Sequence, residues 1–171
     1  MNATLPETMN EIELFRYHGS VVHRIVSLNL EGFTQHESLI PLHPQGNCLN
    51  WIFGHLLLLH DQLLSMLGQK PVLGEHALRR FARGAPPLED ASEALDMEDA
   101  VQAWDEAAER LDAGLLALTA AEMDAPAPFS PTGDPNETVR SFLVVIFLHQ
   151  AYHAGQIAVL RRSAGKAGVL G

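Results

Sequence analysis

The sequence predicts an all-α protein, a four-helix bundle with a long crossover between its second and third helices. Three observations carry this expectation. Four long segments place apolar residues at steps of three and four, and no segment alternates with period two between hairpin turns. Helices of about 20 to 27 residues would span roughly 30 to 40 Å at about 1.5 Å per residue, which are bundle dimensions. A chain of 171 residues, 47% of them hydrophobic, suits a single domain, residues 1–171, with a substantial core.

The first helix is expected over about residues 7–30, with Ile12, Phe15, Val22, Ile25, Val26 and Leu30 on its buried face and Gly32 as its stop. The second runs over about residues 48–67, apolar on most sides, with Asn47 as N-cap and Gly68 as C-terminal stop. Residues 68–95 carry Gly68, Pro71, Gly74, Gly84, Pro86 and Pro87 and form the crossover, with room for a short helix in EHALRRFAR. The third helix opens on Asp96, with Asp99 completing a weaker capping box, and is expected over about residues 97–122. Val101, Trp104, Ala108, Leu111, Leu115 and Leu118 form its apolar face. After Pro126, Pro128, Pro131 and Pro135 the fourth helix begins near residues 136–138 and runs through Ser163, with Arg161 and Arg162 complementing its C-terminal dipole.

Two runs, residues 38–60 and 141–160, lack Asp, Glu, Lys and Arg. Neither reads as a membrane span: the first holds Pro41, Pro44 and Gly46, and the second holds His149, Gln150, His153 and Gln156. Both read as central helices of a bundle. The first residues are acidic where a secretory signal needs basic ones, so a cytoplasmic location is the default. Asp and Glu number 21 against 11 Lys and Arg, a net charge of −10, which repels phosphate backbones and anionic lipid and argues against nucleic-acid or membrane partners. One cysteine, Cys48, excludes disulfide frameworks and Cys-rich zinc modules. Nine histidines remain. Any metal must be held largely by them.

His149 and His153 stand four apart on the fourth helix, which puts both rings on one face within reach of one ion. They continue the seam Phe142, Val145 or Ile146, His149, His153, Gln156, Leu160 toward the core. His55 interrupts WIFGHLLLL on the second helix, and Gly54 beside it permits close helix approach. If the second and fourth helices pair antiparallel, three imidazoles converge and leave coordination positions open. On pattern alone the alternative stands that these are core histidines satisfied by backbone carbonyls. His60 is about 140° round the helix from His55 and should point elsewhere. His18, His23, His36, His43 and His76 belong to no comparable pattern.

The segment GNCLNWIFGHLLLLHDQLL resembles the second helix of the DinB-like (DNA-damage-inducible, YfiT-like) four-helix-bundle metalloproteins, where Gly-Asn, Trp and Gly-His follow in this order. LHQAYHAGQIAVLRR resembles their fourth helix, an H-x-x-Y-H core followed by GQI and a basic pair. The resemblance implies parallel second and third helices, a divalent-metal site made by His55, His149 and His153, and frequent homodimers. Zinc or nickel is the first expectation for the ion, with manganese or iron as further options.

Three neutral ligands leave the ion's charge uncompensated and favour an anionic further ligand. The chemistry expected is hydrolysis by an activated water, or activation of an exogenous low-molecular-weight thiol, since similar proteins include thiol-dependent transferases and isomerases. The alternative is a metal-binding stress-response or sensor protein without turnover. Cys48, two turns from His55, is not expected to be the thiol. No carboxylate is in step with the ligands. Asp61 is six residues from His55, leaving Glu11 or Glu13 on the first helix as candidates for a general base. Gln156, one turn beyond His153, is a candidate support for the site. Trp51, Leu58, Phe142, Ile146 and the first helix are expected to wall a pocket for a small, partly apolar substrate.

Overall fold

Asn10 starts the first helix of the structure, a computed structural model that describes residues 8–169. Its side-chain oxygen accepts from the Glu13 backbone N–H at 3.0 Å, and the Glu13 carboxylate accepts from the Asn10 N–H at 2.8 Å. This reciprocal cap satisfies two of the donors that a helix start leaves free. Helix α1 then spans Glu11–Leu30, later than the expected start near residue 7: Glu7 lies outside the described residues, and Thr8, Met9 and Asn10 are not helical because Asn10 caps the helix. The other helices are α2 (Gln35–Ser38), α3 (Leu49–Met66), α4 (Glu75–Leu78), α5 (Met97–Ala117), α6 (Ala120–Asp124) and α7 (Val139–Ser163). Short 3₁₀ turns at Arg79–Phe81 and Ala91–Glu93 complete the crossover. No strand occurs among the described residues beyond an isolated bridge between Pro126 and Thr138.

Two further boundaries differ from the sequence expectation. The residue capping α3 is Cys48, not Asn47, and no side chain bonds to that helix start. The third long helix stops at Ala117 rather than at residue 122. Thr119 and Glu122 form a capping box of their own, and that local pairing starts α6 as a separate turn. Asp96 caps α5 as expected, accepting from the N–H groups of Glu98 and Asp99.

The four long helices form a ring in which α1 touches α5 and α7, and α3 touches α5 and α7. Polar ties fix the directions. Asn50 exchanges two hydrogen bonds with the Leu95 backbone at 2.8 and 3.0 Å, and a Cβ placed on Gly114 would sit 2.9 Å from that of Leu67, so α3 and α5 run parallel. Glu11 pairs with Arg140 at one end of α1, while Arg161 donates to the Asn29 and Glu31 carbonyls at the other, so α1 and α7 also run parallel. The crossover that parallel α3 and α5 require is gripped by Asp61, whose carboxylate accepts from the N–H groups of Val72, Leu73 and Gly74 at 2.6, 3.1 and 2.7 Å. Helix α7 is long and apolar enough to cross a membrane by length and composition. In the fold, Phe142, Leu143, Ile146, Phe147, Ile157 and Leu160 bury its inner face in the bundle.

Trp104 is fully buried, edge-on to Phe53 at 5.7 Å and stacked under the His60 ring at 4.1 Å and 10°. His60 therefore points away from His55, as the helical angle requires. Burial, with a smaller push from His23, lowers its pKa to about 3. An unfolded chain titrates this imidazole near 6.5, so its stabilising contribution is complete above that pH and is lost as pH falls toward the folded value, because the unfolded state binds the proton first. Urea unfolding at pH 7 and pH 5 should show the wild type losing about 2 kcal/mol more than His60→Leu over that interval. Equal losses in the two proteins would show that His60 is not the group responsible.

Candidate metal centre

His149 and His153, one turn apart on α7, bring their Nε2 atoms to 2.7 Å, and His55 reaches the same point from antiparallel α3. One ligand atom from each ring lies within 4.8 Å of the others. Tetrahedral zinc with nitrogens at about 2.0 Å needs donors about 3.3 Å apart, which this cluster accommodates with small side-chain shifts.

The outward nitrogens are already committed. His55 Nδ1–H donates to the Phe81 carbonyl at 2.7 Å, and His153 Nδ1–H donates to Gln156 Oε1 at the same distance. Each bond places the proton on Nδ1 and leaves the Nε2 lone pair facing the cluster. Burial lowers the pKa of all three rings. It is opposed at His55 by the Phe81 carbonyl and reinforced at His149 by the charges of His55 and Arg83; His153 falls to about 4. At neutral pH the three imidazoles are thus uncharged, the form that binds a cation. The donor set fits a divalent ion.

The Phe81 contact depends on Gly54. A Cβ at that position would lie 2.5 Å from two atoms of the Phe81 ring, so only glycine lets the ring rest on the α3 backbone and deliver its carbonyl to the next residue, His55. Gly54, expected to permit close helix approach, admits the crossover instead. Trp51 stacks on the His55 ring at 5.4 Å and 17°.

Gln156 bonds outward as well, its Nε2 donating to the Tyr152 hydroxyl at 3.1 Å, so His153, Gln156 and Tyr152 form one chain. Replacing Gln156 by Leu should weaken metal binding about 10- to 100-fold, measured by competition with a chromophoric chelator. Unchanged affinity would reduce Gln156 to a packing residue.

His55 and His153 are buried but His149 is only half-buried, so the cluster opens to the surface on the His149 side. Trp51, Leu58, Phe142 and Ile146 are buried nearby in the α3–α7 layer. Helix α1 packs against α5 and α7, the second of which carries His149 and His153. Glu11 and Glu13, the expected candidates for a general base, are committed elsewhere, as is Asp61. Glu11 pairs with Arg140, Glu13 caps α1, and Asp61 holds the crossover. Cys48 is buried at the start of α3, and burial raises its thiol pKa.

The sequence profile of the DinB superfamily matches residues 21–157. A crystal structure described as a conserved protein of a locus from Enterococcus faecalis superposes with a TM-score of 0.70 at 19% identity, covering 93% of this chain and all of that one. No curated protein matches the sequence.

Proposed function

The chain belongs to the DinB superfamily, and from that membership and the three converging imidazoles we propose that it is a divalent-metal-dependent enzyme acting on a small molecule. His55, His149 and His153 are its ligands. Zinc or nickel is the ion we favour for an all-imidazole site. The reaction is either thiol-dependent S-transfer or isomerisation, or hydrolysis. The observation that carries the proposal is the asymmetry of the site: two ligands buried and held by Phe81 and Gln156, the third half-exposed. A structural site closes around its ion, whereas a catalytic one keeps a side open.

A divalent ion bound there supplies Lewis acidity, which lowers the pKa of a water or thiol and polarises a carbonyl. The chain's own residues do the rest. Phe81 and Gln156 hold two rings in one tautomer, so only small side-chain shifts are needed when an ion enters. Arg83 is close enough for its charge to act on His149 and offers a counter-charge to an anionic substrate group or a thiolate. The low-molecular-weight thiol would come from outside the chain, because Cys48 is buried and protonated.

Metal-loaded protein should turn over either a small electrophile in the presence of a low-molecular-weight thiol or a p-nitrophenyl ester. Turnover should vanish on chelation and return with the ion. Stoichiometric metal with neither activity would favour a metal-binding stress-response or sensor protein instead.

A further inference from the structure

On the opposite side of the bundle, α1 and α5 do not close fully. They leave a cavity of about 490 Å³ whose floor includes His60 of α3 and Gln150 of α7. None of the three histidines of the metal centre lines it. The volume falls in the range of small-molecule sites.

The floor is polar where a core should be satisfied. His60 is 3% exposed and Gln150 1%, yet His60 Nδ1 and Gln150 Nε2 have no hydrogen-bond partner among the described residues. Turning the Gln150 amide end for end would exchange donor for acceptor and still leave a buried polar atom without a partner. Buried polar groups of this kind are regularly paired, and the two side chains that carry them both line this one cavity. The walls between floor and rim are apolar, with Leu111, Leu115 and Phe147 contributing.

The rim selects against anions. Asp105, Glu109 and Asp112 line it with Arg16 and His23; Arg16 is already paired to Asp112 at 2.7 Å, and His23 Nε2 lies 2.9 Å from Asp105. The floor carries no compensating charge, since burial keeps the His60 ring neutral. A suitable occupant has an apolar body and a neutral head offering both a carbonyl acceptor and an N–H donor, which matches Gln150 in either orientation and either nitrogen of a neutral imidazole.

We propose that the α1–α5 cavity is a second small-molecule site, separate from the metal centre, which takes a neutral carboxamide-type head on an apolar body, held by His60 and Gln150. Benzamide is the minimal probe, with benzoate as its anionic counterpart. The His60 ring lies on Trp104, while the other tryptophan, Trp51, lies on His55. The two indole N–H resonances of ¹⁵N-labelled, metal-loaded protein therefore report the two sites separately, with Trp51→Phe assigning them.

Benzamide should shift the Trp104 resonance saturably and leave that of Trp51 in place. Benzoate should bind at least about tenfold more weakly, and Gln150→Leu should lose about tenfold in affinity for benzamide. Ala108→Phe, which fills the cavity from its partly exposed wall, should abolish the shift. It keeps the test decisive if Gln150→Leu folds poorly. The proposal is overturned by no saturable shift up to the solubility limit, by unchanged affinity in Ala108→Phe, or by a response confined to Trp51 and lost in His149→Ala.

Discussion

Purified His149→Ala protein should retain less than about a tenth of the metal carried by the wild type, at an unchanged melting temperature of the metal-free form. Two neutral imidazoles hold a divalent ion far more weakly than three, because the removed ligand is replaced by water in an exchanging site. Of the three proposed ligands, His149 is the one to remove first. It is half-buried, and the hydrogen bond it makes is to His153, whose ring stays held by Gln156 and whose Nε2 then faces the space the truncated side chain leaves on the open side. His55→Ala should lose the metal as completely but also destabilise the metal-free protein by about 1 to 3 kcal/mol, since the buried Phe81 carbonyl would lose its donor. The pair of variants separates ligation from folding. Added metal should raise the wild-type melting temperature in a concentration-dependent way and leave both variants unmoved. Wild-type metal stoichiometry in both variants would end the three-histidine assignment.

Gly54→Ala is the second large effect, and its sign is the informative part. In an exposed helix interior this exchange stabilises by about 1 kcal/mol. At Gly54 the new methyl would stand 2.5 Å from the ring of Phe81, itself 1% exposed and wedged between α3 and the crossover. The ring cannot swing aside, so the crossover must lift. We expect a net destabilisation of about 1 to 3 kcal/mol, the usual cost of overpacking. The same displacement should carry the Phe81 carbonyl away from His55 Nδ1, so metal affinity should fall although no ligand has changed. Urea unfolding and chelator competition on one preparation check both. A stabilised protein with wild-type affinity would show that Phe81 does not rest on Gly54.

Periodicity was sufficient for the four long helices, since each turns a continuous apolar stripe to the same core. Phe15, Val22, Val26 and Leu30 of α1 are buried as their spacing requires. It was also sufficient to separate His55 from His60, because a helix fixes the angle between them. The Phe81 carbonyl was not legible. It comes from a Gly- and Pro-rich segment without periodicity, and a backbone oxygen carries no residue-type signal. Its only trace in the sequence is Gly54 immediately before His55. The stop at Ala117 was legible in principle from Thr119 and Glu122 at capping-box spacing, but the apolar stripe running on to Leu118 obscured it. The candidate general bases failed for a different reason. Carboxylates near helix starts and crossovers have local N–H groups and cations to satisfy, and sequence distance to a ligand does not reveal that competition.

The grip of Asp61 on residues 72–74 and of Asn50 on Leu95 turns the crossover from one long span into two short tethered ones. Tolerance to length change is therefore divided along it. Residues 89–92 lie downstream of Phe81 and are exposed, so chain inserted or removed there would be absorbed at the surface with little cost in closure entropy. Between Gly74 and Phe81 the spacing acts as a ruler. Deleting one residue there would draw a different side chain onto Gly54 and a different carbonyl toward His55, shifting the register of the metal centre without touching any of its ligands.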